Sequence, residues 1–124
     1  MSVHTDVVRA IGIFKAKRDF TIDEINATAV PVAEAIRNIP IIKANLTKYE
    51  VSYKSERLPN TLAKDLGLNE TPYTTVIIME ATSHEKIREA LTHPDYKAVI
   101  AGALEHATTL EHFHFFSAEY MTVL

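Results

Sequence analysis

The segment that most constrains the fold is residues 73–80, where Val76, Ile77, Ile78 and Met79 form an unbroken apolar run. A strand with one wet face alternates apolar and polar residues. A run without alternation is what a strand covered on both faces shows. Residues 73–80 therefore predict a strand covered on both faces. Three other segments read as strands. Residues 7–15 are rich in β-branched side chains. Residues 43–53 carry Leu46, Tyr49, Val51 and Tyr53, and residues 111–123 carry Phe113, Phe115, Phe116, Tyr120 and Met121.

Helical signals separate these runs. Thr21 and Glu24 have capping-box spacing, in which each side chain satisfies the other's free amide. Ile22, Ile25, Ala29, Val32, Ala33 and Ile36 then recur with helical period. Pro31 lies inside that pattern and predicts a kink or an early end. Asn38 and Pro40 close the segment. Ser83 caps a second helix with Ile87, Ala90 and Leu91 as its stripe. His93-Pro94 breaks it, and Pro94 suits the first position of a further helix, whose face is Tyr96, Val99, Ile100, Ala103, Leu104 and Ala107. Between the middle strands, residues 55–72 collect Pro59, Asn60, Gly67, Asn69 and Pro72 and read as the most flexible part. Residues 60–66 form at most two helical turns ended by Gly67.

The order is β-α-β-β-α-β. It predicts an α+β, ferredoxin-like domain over residues 1–124, with a four-stranded antiparallel sheet and helices on one face only. The other face still carries large apolar side chains, so a homodimer burying sheet against sheet is expected.

Composition narrows the chemistry. The chain has 124 residues, 47 % hydrophobic and 23 % charged, which excludes a mainly disordered chain. It has no cysteine, so disulfides, thiolate metal sites and cysteine nucleophiles are excluded. Thirteen basic and sixteen acidic residues leave a charge of −3 and no basic surface for nucleic acid. No apolar run approaches the roughly 20 residues of a membrane span, and the first residues lack a signal-peptide pattern. A cytoplasmic location is the expectation, with no membrane partner. The only glycines are Gly12, Gly67 and Gly102, so no phosphate-binding loop is present.

The sequence resembles the EthD-like family of dimeric α+β barrel proteins. The residues that carry the resemblance are Ile11-Gly12-Ile13-Phe14-Lys15, Phe20-Thr21-Ile22-Asp23-Glu24, Lys48-Tyr49 and Leu91-Thr92-His93-Pro94-Asp95-Tyr96, in that order and spacing. The resemblance implies a cofactor-free protein acting in polyketide cyclisation, decarboxylation of aromatic acids or an accessory role in degradation. It also implies an acid/base histidine two residues before a proline of the first helix. With Pro31 as that proline, the position holds Ala29.

Other residues must then carry any proton chemistry. His112 and His114 are two apart on an expected strand and share a face with Phe116 and Tyr120. Imidazole titrates near neutral pH and can move a proton on an enolisable compound. Tyr49, Tyr53 and Tyr73 can polarise a carbonyl, and aromatic walls suit a small apolar or aromatic ligand. Packing without chemistry is the alternative for all of them. The same two histidines could begin a metal site, but nothing in the spacing selects Glu119, His106 or His4 as a third ligand, so no metal is expected. His84 reads as exposed, His93 as a cap, and His106 as a partner of a helix C-terminus. Lys15 and Lys43 read as solvated. The function expected is a small cofactor-free enzyme moving a proton on an apolar or aromatic carbonyl compound. The alternatives are a non-catalytic or stress-associated binding dimer and a cofactor-free monooxygenase.

Overall fold

A computed structural model describes residues 1–59 and 61–124. Strands β1 (Val8–Phe14), β2 (Lys48–Tyr53), β3 (Thr75–Ala81) and β4 (Phe113–Ala118) form one antiparallel sheet in the order β2-β3-β1-β4. The apolar run falls on β3, which lies between β2 and β1. Among the described residues five α-helices complete the fold: α1 (Ile22–Arg37), α2 (Pro40–Asn45), α3 (Leu62–Asp65), α4 (His84–Thr92) and α5 (Pro94–Ala107). None of the described helices is long and apolar enough to cross a membrane.

Helices α1, α2, α4 and α5 lie on one side of the sheet. α4 packs on β3 and β1, and α1 packs on α5 and α2. One core cluster joins Ala10, Phe14, Ile77, Met79, Ala81 and Ile87; Met79 and Ala81 are completely buried. A second joins Ile36, Ile39, Ile42, Ala90 and Tyr96, where α1, α2, α4 and α5 meet. The capping box at Thr21 and Glu24 is present, Ser83 caps α4, and His93 caps α5 by accepting the amide of Asp95.

Three expectations are corrected. Pro31 does not end α1, which runs unbroken to Arg37. Its ring and the preceding turn are exposed, so the carbonyl that loses its partner, that of Ala27, meets water rather than core. Residues 43–53 are not one strand. Pro40 opens a helix instead of closing one, α2 buries Ile42, and β2 starts only at Lys48. Residues 111–123 shorten to Phe113–Ala118: His112 ends a 3-10 turn over Leu110–His112, and Met121 makes only an isolated bridge to Val3. Asn60, expected to start the short helix, lies outside the described residues; α3 follows it, and Gly67 after it takes a positive φ of 70°.

Candidate functional site

Residues opposite one another in an antiparallel pair point to the same side of a sheet, and neighbours along a strand to opposite sides. The registers therefore sort the sheet into two surfaces. Phe14, Tyr49, Val51, Tyr53, Thr75 and Ile77 look toward the helices. Arg9, Ile11, Ile13, Lys48, Val76, Ile78, Glu80, His114 and Phe116 look away from them.

On the helix side lies an open-mouthed cavity of about 1210 Å³, between the β2 half of the sheet and the underside of α1. It explains an otherwise odd pattern. α1 carries an apolar stripe of Ile22, Ile25, Ala29, Val32 and Ile36, yet only Ile36, at the contact with α2, is buried. The rest of the stripe roofs the cavity instead of packing on the sheet. Tyr49, Val51 and Tyr53 form the floor, and Ile100, Ala103 and Ala107 of α5 the side wall.

The phenols give this apolar space its polarity. The Tyr49 hydroxyl lies 2.9 Å from that of Tyr96. Burial, reinforced by Tyr96, pushes the Tyr49 phenol far above its ordinary value; burial also raises Tyr53 and Tyr96. All three stay neutral at physiological pH; in the Tyr49–Tyr96 contact one hydroxyl donates and the other accepts, and the Tyr53 hydroxyl keeps its proton to donate. Tyr53 Oη has no hydrogen-bond partner among the described residues. His106, in the last turn of α5, lies at the rim, its ring centroid 5.8 Å from that of Phe20. Ala29 also lines the cavity, so the position where the resemblance implies a histidine does face the enclosed space, with a methyl group.

The expected site residues are thus divided between two surfaces. Tyr49 and Tyr53 line the cavity. His114, Phe116, Tyr73 and Tyr120 do not. His114 Nε2 faces the Glu111 carbonyl at 3.1 Å and donates to it, which leaves Nδ1 to accept from the Tyr73 hydroxyl at 3.2 Å. The Tyr120 ring lies between the Arg9 guanidinium, 3.7 Å from its centroid, and the His4 ring at 4.3 Å. Beside it, Arg9 Nε and Nη2 both reach Oε1 of the buried Glu80 at 2.7 Å, with Lys48 Nζ at 3.7 Å. His112 is not on the strand at all. Its place in the 3-10 turn breaks the alternation that paired it with His114, and it stands 3.3 Å from the Glu111 carboxylate. Among the described residues no three His, Asp or Glu side chains converge as a metal site.

His106 is the cavity residue that sequence reasoning assigned elsewhere, to the end of a helix dipole. The signal was its spacing: it follows Ala103 by three residues, on the edge of the α5 stripe that faces the cavity.

No family model and no curated protein matches this chain. Solved structures do. It is similar to a dimeric protein of ferredoxin-like fold from Bacteroides fragilis, at 18 % identity and a TM-score of 0.63, over 96 % of this chain and 100 % of that one. An ethyl tert-butyl ether D (EthD) family protein from Bacillus halodurans aligns at 17 % identity and a TM-score of 0.60, over 93 % and 99 %. A hydroxynitrile lyase from Passiflora edulis aligns at 9 % identity and a TM-score of 0.61, over 98 % and 99 %. The chain therefore has the ferredoxin-like α+β fold of these proteins, as its resemblance to EthD-like sequences implied. That fold houses at least one enzyme, the lyase.

Proposed function

We propose that the cavity receives a small apolar carbonyl compound and that the chain moves a proton on it without a cofactor, in a reaction of cyclase, aldol or decarboxylase type. The observation that carries this reading is the pair of neutral phenols, Tyr49 and Tyr53, set beside Val51 on the floor of the cavity under the apolar stripe of α1. A phenol held protonated donates to a carbonyl oxygen and stabilises the charge that gathers there as an enolate forms. His106, the imidazole that lines the cavity, takes the acid/base role. His114, Tyr73, Phe116 and Tyr120 belong in this reading to the surface that meets a second copy of the chain, and His112 to the turn before it. The homodimer is supported by the apolar outer face of the sheet and by the dimeric state of the Bacteroides fragilis protein.

The test uses an enolisable bicyclic ketone, 1-tetralone, in deuterated water, with α-proton loss followed by NMR. Wild type is expected to speed exchange above free imidazole. His106→Ala lowers the rate about 10²-fold, and Tyr53→Phe weakens binding. Loss of exchange in His114→Ala but not in His106→Ala would reverse the assignment of the base. A second reading, a binding protein without catalysis, draws on Ala29. It predicts a ketone that binds in the cavity with exchange no faster than in buffer.

A further inference from the structure

The charges around the cavity do not follow those of the chain. Five of the residues around it are basic (Arg18, Arg37, Lys43, Lys54 and Lys48, the last with its side chain on the outer face) and two acidic (Asp19 and Glu56), although the chain has thirteen basic and sixteen acidic residues. Part of this excess is already answered. Arg18 pairs with Glu24, and Lys48 faces Glu80 across the sheet. Arg37, Lys43 and Lys54 make no ion pair among the described residues.

Position sharpens the asymmetry. Arg37 closes α1 and Lys43 lies in the last turn of α2, so both stand at the end of the cavity where those helices meet. The two acidic residues belong to the opposite end. Asp19 precedes α1, and Glu56 accepts the amide of Ile22 at 3.0 Å. One end therefore carries cations alone, and the apolar floor begins directly behind them with Leu46 and Tyr49. Cations in a last turn also offset a helix dipole. That effect gives no reason for both to border the same apolar space.

We infer that the compound held in this cavity is an apolar carboxylate, its acid group against Arg37 and Lys43 and its body along Val51 and Tyr53 toward His106. The inference rests on the cavity reading above and adds its charge. It makes the acid group an anchor at the end away from His106, not the reacting centre, and so favours bond-forming proton chemistry over loss of that carboxylate. A volume of about 1210 Å³ leaves room for a body of several fused rings or a long acyl chain.

The test compares 2-naphthoate with its uncharged counterpart 2-acetonaphthone, each titrated into the full chain and followed by ligand-observed NMR. At low salt naphthoate is expected to bind about tenfold tighter, and about 0.5 M salt should remove most of that advantage. The double substitution Arg37→Glu, Lys43→Glu should cost naphthoate at least about tenfold and leave the ketone unchanged, which also reports that the cavity is intact. Lys43→Gln alone should cost about threefold and serves if the double variant does not fold. Ketone binding with no preference for naphthoate overturns the anion inference and spares the cavity reading. Binding of neither probe overturns both. A naphthoate preference that survives the charge reversals overturns the placement of the acid group.

Discussion

At the scale of single residues, Gly12 meets Phe115 closely across the sheet. They are direct partners across β1 and β4, and a Cβ on Gly12 would lie 2.8 Å from the Phe115 ring. That ring stacks on Phe113 at 4.9 Å, which stacks on Phe14 at 5.4 Å, so moving it gives up stacking contact. Gly12→Ala is expected to destabilise the fold by about 1–3 kcal/mol in urea titrations, as overpacking does. The same substitution in a Phe115→Ala background should cost clearly less; an equal cost would show that the ring is not the obstacle. Single side chains also mark how far the sequence could be read. The alternation that separates Tyr49 and Tyr53 from Lys48 is plain in β2. In β4, Phe113 and Phe115 point one way and Phe116 the other, so aromatic content gave no sign of which parity faced the helices. That is why His114 and Tyr120 were expected beside Tyr49 and are found behind it.

At the scale of elements, α1 is secured at its start and loose along its length. Thr21 Oγ1 accepts the Glu24 amide at 3.1 Å, Glu24 Oε1 accepts the Thr21 amide at 3.2 Å, and Arg18 pairs with the other carboxylate oxygen. The Arg18 bond first, and the Thr21 amide second, hold the Glu24 carboxyl at about 2, against an ordinary 4.5. A folded value below the unfolded one means stability that is present above pH 4.5 and lost as pH falls toward 2. Glu24→Gln keeps an acceptor for the capping box and removes the charge. Its melting temperature, followed by circular dichroism, should fall less steeply than that of wild type across this interval; parallel curves would show that the ion pair does not couple to folding. The start of α1 was legible because a capping box is local. α2 was not, because a proline just past the end of α1 reads as a stop signal in sequence, while here it takes the first position of a new helix whose reason is the burial of Ile39 and Ile42.

At the scale of the whole molecule, the order of strands and helices along the chain and the packing of helices on one face followed from the sequence because each rests on periodicity. The cavity did not. An apolar helix stripe looks the same whether it packs on a sheet or roofs a space, and only the lifted position of α1 tells them apart. The proposed dimer is tested at this scale. The outer sheet face presents Ile11, Ile13, Val76, Ile78 and Phe116, the last 53 % exposed. Wild type should sediment at twice the chain mass of 13.9 kDa, and Ile11→Asp with Phe116→Asp at the single mass with unchanged circular dichroism. Wild type at the single mass would end the proposal.

β2 interleaves two messages in one short stretch of chain. Its odd-numbered residues are written for whatever enters beneath α1, its even-numbered ones for whatever meets the outer wall. Ordinary substitutions let each message drift without garbling the other. Loss of a single residue before Tyr49 would exchange them, carrying Glu50 and Ser52 indoors and both phenols outside, so this strand should tolerate replacement far better than any change in its length.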